Sequence, residues 1–313
     1  MKRLTTNQVK LGFIGMGNMG SRIANRLLNH GYQLSVFDVD PAKTQVIAAQ
    51  GAAVAENIRE LARTADVVLS CLTNDEAVRS VYTEPEGIFA GARSGTIVLE
   101  MSTISPDTSR ELHRLGARSG IDVLDVAISG STPAAEQGIL TLLVGGNQEI
   151  FRAAEPIFQV VAKQYFLLGG PGSGTAMKLV VNTLLGVGMQ AIAEAVVLGE
   201  KAGLERERLL EVLSQTAVIA PAHAGKLGRA ALNDYSPQFP LRLMNKDFQL
   251  ILAAAAQEQV HMPATEAAFY VNADELADEL TNDELAQNDD EDFSAVLRRM
   301  EEVAGIAAVH STR

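Results

Sequence analysis

The chain has 313 residues, of which 47% are hydrophobic and 20% charged. That is enough for a sizeable core in two domains or one large one, and too apolar for a disordered chain. Lys and Arg total 26 against 38 Asp and Glu, a formal net charge of -12; such a surface repels phosphate backbones, no Lys/Arg run offsets it, and nucleic acid is not expected as a partner. Cys71 is the one cysteine, so no intramolecular disulfide can form, and a reducing compartment, the cytoplasm, is expected. The opening MKRLTTNQ is charged but leads into LGFIGMGNMG, an apolar run cut by glycines, which argues against a cleaved signal peptide. Leu179 to Gly199 approaches membrane-span length, but it carries Asn182, Gln190 and Glu194 and has no charge asymmetry at its flanks. It reads as a helix buried inside the protein, with no membrane partner expected.

In chain order, Val9 to Ile14 predicts a strand that ends in glycines, and Asn18 to Asn29 a helix with Ile23, Ala24, Leu27 and Leu28 on one face. Leu34 to Phe37 is a second strand, ending at Asp38. Asp66 to Leu72 (DVVLSCL) and Thr96 to Met101 (TIVLEM) predict fully buried strands with helix-length stretches between them, and Ile121 to Ile128, Leu140 to Val144 and Tyr165 to Leu168 complete the sheet. Short apolar strands alternating with helices predict an α/β domain, a doubly wound parallel sheet covered on both faces, over residues 1–168. Gly169–Gly170–Pro171–Gly172 favours neither helix nor strand and marks the joint.

Residues 169–313 predict an all-α domain. Met177 to Leu198 reads as one helix, within a long linking helix at about 176–199, and a partner subunit is one source of cover for its nearly all-round apolar surface. Further helices are predicted at Glu205 to Ser214, Met244 to Glu258, Pro263 to Glu279 and Asp292 to Ala304. Thr281 to Asp292 (TNDELAQNDDED) is acidic and reads as a solvated loop, and no internal repeat is present.

Gly15-Met16-Gly17-Asn18-Met19-Gly20 is a GxGxxG run placed between an apolar strand and a helix, with Asp38 at the end of the second strand. Gly15 permits a tight turn, Gly17 lets a pyrophosphate approach the backbone, and Gly20 lets helix and strand pack closely; the helix N-terminus then offers free N–H groups and the positive end of its dipole. This predicts dinucleotide binding. A carboxylate at Asp38 can accept from a ribose 2′-OH and would repel a 2′-phosphate. No arginine follows it, and Lys43 is the nearest cation, so NAD(H) is expected in preference to NADP(H).

Four motifs then give the chain a family resemblance. GFIGMGNMGSRIANRLL spans Gly12 to Leu28; DVAISGS spans Asp125 to Ser131 and continues into PAAEQGILTLLVGG at Pro133 to Gly146; GSGTAMKLVVN spans Gly172 to Asn182; MNKDFQLILAAA spans Met244 to Ala255. In this order and spacing the sequence resembles the β-hydroxyacid dehydrogenases, which include 3-hydroxyisobutyrate dehydrogenase, 2-hydroxy-3-oxopropionate (tartronate semialdehyde) reductase and the glyoxylate/succinic semialdehyde reductases. The resemblance runs from Val9 to about Ala304. It implies a Rossmann domain, a long linking helix, an all-α domain that builds a homodimer or homotetramer, and an active site in a cleft between domains. Lys178 matches the catalytic lysine and Asn182 the asparagine one turn later. Ser129, Gly130 and Ser131 match the loop that holds the substrate carboxylate. Thr103, Cys71 and Leu72 match cofactor contacts, and Lys246 and Asp247 match a Lys-Asp pair near cofactor and substrate. Ala127 stands where the family usually has proline, Ser131 where it has a second glycine, and Thr183 where it has a second asparagine, so the resemblance does not fix the substrate.

The chemistry so implied is NAD-dependent interconversion of a small β-hydroxy acid and its semialdehyde. Lys178 would serve as general acid in reduction and general base in oxidation, Asn182 would hold the reacting hydroxyl or orient the lysine, and the loop at Ser129 would hold a carboxylate. A solvated lysine at a helix start would oppose the helix dipole. Two other readings compete: an imine reductase of the same architecture, which usually carries Asp or Tyr where this chain has Lys178, and a redox-silent dinucleotide-binding module, against which Lys178, Asn182 and Ser129 stand. 6-Phosphogluconate dehydrogenase needs a longer helical domain. His30, His113, His223, His261 and His310 show no metal-ligand spacing, and no metal is expected. Glu194 reads as a hydrogen-bonding group at a subunit contact, and Cys71 as a small apolar side chain. His223, Leu227 and Phe239 are candidate walls of a substrate pocket.

Overall fold

The computed structural model describes residue 6, residues 9–281 (the backbone alone over 274–281) and residues 291–306. His310 and most of the acidic stretch from Thr281 to Asp292 lie outside them. The chain divides into two compact units, Met1–Leu179 and Val180–Arg313.

The first unit is α/β. Its elements are β1 (Lys10–Ile14), α1 (Asn18–Asn29), β2 (Gln33–Phe37), α2 (Pro41–Ala48), β3 (Ala53–Val54), α3 (Ile58–Thr64), β4 (Val67–Ser70), α4 (Asp75–Thr83), α5 (Ile88–Gly91), β5 (Ile97–Glu100), α6 (Pro106–Arg118), β6 (Asp122–Ser129), α7 (Thr132–Gln137), β7 (Leu140–Gly145), α8 (Gln148–Val161) and β8 (Ala162–Gly169). The strands form one sheet in the order β3-β2-β1-β4-β5-β6-β7-β8. The order reverses between β1 and β4, the switch point beside which open α/β sheets place their ligands.

Alternation along the strands explains why they read as unbroken apolar runs. Val67, Leu69, Ile97 and Leu99 join a core cluster with Phe13, Ile23 and Leu27, while Val68 and Val98 join a second with Leu61, Val78 and Leu112. Both faces are therefore covered, and neither has room for polar alternation. Each fully buried Val, Leu, Ile or Phe contributes about 1.5–3 kcal/mol.

The sheet departs from an all-parallel expectation at one junction: β7 runs antiparallel to β6, and β8, paired parallel with β7, is reversed with it. The reason is length. Only residues 130–139 connect β6 to β7, fewer than the dozen or so a parallel crossover needs. That segment spends itself on the six-residue α7, ends in left-handed Gly138, and returns from the edge at which it left. The α8 helix, 14 residues long, then supplies a crossover to β8.

The long helix α9 (Ser173–Lys201) begins four residues before the predicted one, and the division between the units falls inside it, at Leu179. The first turns of α9 thus lie with the α/β unit, to which Asp125 ties them by accepting from the backbone N–H of Gly172 and Thr175. Among the described residues α9 is the one helix long and apolar enough to cross a membrane by composition. Val180 and Leu184 stand exposed on it, the latter at 72%.

The second unit is helical: α10 (Arg206–Ser214), α11 (Pro221–Ala230), α12 (Leu241–Gln257), α13 (Pro263–Thr281) and α14 (Val296–Val303), the last preceded by a 3-10 turn at Phe293–Ala295. Helix α11 has no counterpart in the sequence reading. Gly225 and Gly228 interrupt its PAHAGKLGRA sequence, each costing about 1 kcal/mol against Ala in a helix, and its burial of His223, Lys226, Leu227 and Ala230 offsets them. Glycines of α9 set its contacts with α12 and α11: a Cβ at Gly186 would lie 2.4 Å from the Phe248 ring, and one at Gly188 would lie 2.6 Å from His223. The His223 Nε2–H donates to the Leu185 carbonyl, 2.8 Å away. A buried Lys226–Asp292 ion pair, 2.6 Å long, ties α11 to the residue before the 3-10 turn. Asp292 also accepts from the N–H of Gln238 and Phe239 at 3.0 Å.

Candidate functional site

The glycine turn follows β1 at the switch point. Gly15 has φ +93°, and a Cβ there would lie 2.3 Å from the Cys71 carbonyl, so only glycine fits. At Gly20 a Cβ would come within 2.0 Å of the Gly15 carbonyl, which is the close helix-to-strand approach. Gly17 differs: a Cβ there would meet nothing within 4 Å. Its missing side chain is not required by packing, and it leaves the backbone approachable from outside. Helix α1 starts at the next residue with no side-chain cap and no acidic residue in its first turn. Its leading N–H groups, on Asn18, Met19 and Gly20, thus keep the polarity that suits a pyrophosphate.

Asp38 closes this turn. Its Oδ2 accepts from the Met16 N–H at 2.6 Å and its Oδ1 from the Asp40 N–H at 2.9 Å. A carboxylate has about four lone-pair sites, so both oxygens can still accept from a ribose hydroxyl. Cys71 and Leu72 follow β4 directly across the switch point, and the Cys71 N–H donates to the Ile14 carbonyl at 3.0 Å. The Leu72 N–H donates to Ser102 Oγ at 2.7 Å, which fixes the loop after β4 to the loop after β5, where half-buried Thr103 sits. These residues of the α/β unit fit a dinucleotide.

Beneath these loops a polar row crosses the sheet. Ser70, Glu100, Asp125 and Gly145 are register partners on β4, β5, β6 and β7. Glu100 is 1% exposed and Asp125 is fully buried. The Ser70 hydroxyl donates to Glu100 Oε2 and accepts from the Tyr82 hydroxyl, while the Ser102 N–H donates to Glu100 Oε1 at 2.7 Å. Burial pushes the Glu100 carboxyl above the usual glutamate range, against the pull of Ser102, Ser70 and Tyr82. Burial acts the same way on Asp125, but the His113 hydrogen bond and the N–H groups of Gly172 and Thr175 overcome it and hold this carboxyl below the usual aspartate range. The sequence reading assigned neither carboxylate a role. A signal was present: each is an acid inside an otherwise apolar strand (TIVLEM, DVLDVAI), where an unpartnered charge would be costly.

Strand β6 ends at Ser129, and Gly130 has φ +143° with its would-be Cβ 2.7 Å from Leu140. Ser131 occupies the N-cap position of α7 but makes no capping hydrogen bond, so its hydroxyl is not committed to the helix. Both Gly130 and Ser131 are exposed. Lys178 is half-buried in the second turn of α9, and Asn182, one turn on, shares its helix face.

In the helical unit Asn182 is fully buried, and its Nδ2 donates to Asp247 Oδ2, while its Oδ1 has no hydrogen-bond partner among the described residues. Lys246 Nζ lies 2.8 Å from Asp247 Oδ1. The structure thus brings Asn182, Lys246 and Asp247 together. Asp247, 1% exposed, faces the asparagine, which fixes the Asn182 amide with its oxygen left to accept. Of the expected pocket walls, His223 and Leu227 are buried in the packing of α11, and Phe239 stacks edge-on against Phe293 at 5.6 Å. Glu194 accepts from Gln190 at 3.0 Å within α9.

Comparison with known proteins assigns both units. Residues 10–170 match the family described as the NAD binding domain of 6-phosphogluconate dehydrogenase, and residues 172–300 the family described as NAD-binding of NADP-dependent 3-hydroxyisobutyrate dehydrogenase. The chain is similar to 2-(hydroxymethyl)glutarate dehydrogenase of Eubacterium barkeri, 33% identical over 96% of this chain and 97% of that protein. It is also similar to the NAD-dependent L-serine dehydrogenase of Pseudomonas aeruginosa, 36% identical over 79% of this chain and 85% of that one. The solved structure of Mycobacterium tuberculosis 3-hydroxyisobutyrate dehydrogenase with L-serine matches it with a TM-score of 0.82 and 33% identity, over 93% of this chain and 99% of that chain.

Proposed function

Because this chain belongs to the β-hydroxyacid dehydrogenase family, we propose that it interconverts a small, carboxylate-bearing β-hydroxy acid and its semialdehyde, with NAD(H) as the preferred dinucleotide and Lys178 as the proton-transfer group. The chain is an oxidoreductase with a dinucleotide-binding domain. The single observation that carries the reading is the retention of Lys178 one helical turn before a buried asparagine whose amide is oriented by Asp247 and whose oxygen still has an acceptor site to offer.

Gly15 to Gly20, with Cys71, Leu72 and Thr103, would hold NAD(H), whose nicotinamide would supply or take up the hydride. The protein's work is positional and acid–base. The Lys178 ammonium donates a proton to the substrate oxygen as it gains negative charge in reduction, and the neutral amine takes that proton in oxidation. Asn182 accepts from the reacting hydroxyl or from the lysine. Backbone N–H groups at Ser129 and Gly130, with the uncommitted Ser131 hydroxyl, hold the carboxylate. Lys246 adds positive charge next to Asp247, suited to an anionic substrate or to the nucleotide.

Asp38 supports the cofactor preference, since a carboxylate at the end of β2 favours a free 2′-OH over a 2′-phosphate. We place the enzyme in the cytoplasm as a homodimer or homotetramer; the single cysteine and the exposed apolar residues Val180 and Leu184 of α9 support this. The test is a spectrophotometric screen at 340 nm with NAD+ and NADP+ over 3-hydroxyisobutyrate, L-serine, 2-(hydroxymethyl)glutarate and 4-hydroxybutyrate, and with NADH over a cyclic imine. Turnover of a hydroxy acid with kcat/KM at least about tenfold higher for NAD+ is expected, a factor worth about 1.4 kcal/mol. Turnover of the imine alone would contradict the reading, and a preference for NADP+ would overturn the cofactor assignment.

A further inference from the structure

We propose that Asp125 and His113 form a long-range anchor for the first turn of α9 and act as positioning residues for Lys178, an inference that rests on the catalytic reading of that lysine. The opening N–H groups of a helix need acceptors, ordinarily a side chain just before the helix. At α9 the neighbouring hydroxyls are turned to other work: Ser173 Oγ donates to the Gly170 carbonyl and Thr175 Oγ1 to the Gly172 carbonyl, at 2.7 and 2.9 Å. The acceptor comes instead from the sheet. Asp125 Oδ1 takes the Gly172 N–H at 2.9 Å and Oδ2 the Thr175 N–H at 3.0 Å, and His113 Nε2, from α6, donates to Oδ1 at 3.0 Å.

The surroundings are shaped for this carboxylate. A Cβ at Gly145 would lie 2.6 Å from Asp125 Oδ2, and one at Gly174 would lie 2.8 Å from the same oxygen. Two glycines, Gly145 on β7 and Gly174 on α9, therefore leave the space it fills. Gly172 itself has φ +84°, so the chain turns into the helix through a conformation that suits glycine. A buried carboxylate at a helix N-terminus also gains from the helix dipole, and its bonds to N–H donors are charge-assisted.

The consequence for catalysis lies in connectivity. Strand β6 carries Asp125 four positions before Ser129, where the carboxylate-holding loop begins, and Lys178 follows Thr175 by three positions in α9. One rigid strand thus sets both the loop and the start of the lysine's helix. A misplacement of about 1 Å at a reacting group can cost about a hundredfold in rate.

The experiment compares Asp125→Asn, His113→Leu and His113→Gln with the wild type. Asp125→Asn keeps the size that fits between the glycines but turns an NH2 toward N–H donors. Readouts are kcat, the NADH Kd by fluorescence, and amide hydrogen exchange at Gly172 and Thr175. The anchor predicts for Asp125→Asn a kcat loss of about 10- to 100-fold, faster exchange at those two amides, and an NADH Kd within about twofold of wild type, because α1 and its glycines are untouched. His113→Leu should lose several-fold in kcat, and His113→Gln, whose Nε2 can still donate, should recover most of it. A folded Asp125→Asn with wild-type kcat would overturn the inference, as would equal losses in kcat and NADH affinity. If Asp125→Asn does not fold, indistinguishable kcat values for the two His113 variants would overturn it. A wild type inert toward every hydroxy acid would bring down the functional reading and this inference with it, whereas normal turnover in Asp125→Asn would remove the anchor alone.

Discussion

Two carboxylates lie side by side on one face of the sheet, and they are held in opposite ways. Glu100, on β5, is served by hydroxyls and one N–H, and burial drives its pKa up. Asp125, on β6, receives an imidazole and two helix N–H groups, and these more than reverse the same burial. Burial alone therefore does not decide the charge of an acid; the number and kind of donors facing it do. The two regions also serve different parts of the site. Glu100 reaches the loop carrying Leu72 through Ser102, whereas Asp125 reaches the helix carrying Lys178.

The largest expected effect breaks the comparison from the Asp125 side. Asp125→Leu leaves two buried N–H groups and His113 without their acceptor, and the unfolding free energy from urea titration should fall by about 3–5 kcal/mol. A loss below about 1 kcal/mol would show that the anchor is not structural in the native state.

The next effect is one of sign with pH. Asp125 has its folded pKa below the unfolded value of about 3.9. Its contribution is fully present above that value and is lost as pH falls through the folded pKa. Glu100 has its folded pKa above the unfolded value of about 4.3, so its stability contribution is fully present below that pH and is lost as pH rises through the folded pKa. Urea unfolding from pH 3 to 8 should then show the deficit of Asp125→Asn relative to wild type shrinking toward the acid end. Glu100→Gln should gain on wild type as pH rises. Parallel curves for both variants would remove the contrast.

The smallest effect sharpens it. Glu100→Gln keeps one oxygen to accept from the Ser102 N–H and turns an NH2 toward the Ser70 hydroxyl, which can accept from it; no charge then needs burying, and the cost at neutral pH should stay within about 1 kcal/mol. A cost equal to that of Asp125→Leu would mean that Glu100 is ionised in the folded protein.

Much of this was legible in the residues themselves. The Gly15 turn, α1 and the strands β1, β2, β4 and β5 follow from apolar runs punctuated by glycine, because those elements are dictated by local sterics and by burial on two faces. The reversal of β7 was not read, although the ten residues between Ser129 and Leu140 are too few for a crossover. Helix α11 has no counterpart in the sequence reading because Gly225 and Gly228 interrupt it, and its burial offsets them. The pairing of Asn182 with Asp247 and of Asp125 with α9 joins residues 65 and about 50 apart in sequence, and a single chain carries no spacing rule that would match them. The motif containing Asp125 was recognised, but its role emerges only when Gly145, Gly174 and His113 are seen around it.

The central claim is that Lys178 moves the proton while the neighbouring nucleotide moves the hydride. Its most direct test is stopped-flow absorbance at 340 nm with saturating NAD+ and the best hydroxy-acid substrate, comparing wild type with Lys178→Ala. A fall in the rate of NADH formation of about 10²- to 10⁴-fold, with the NADH Kd unchanged, is the predicted result. Turnover within a few-fold of wild type would contradict it.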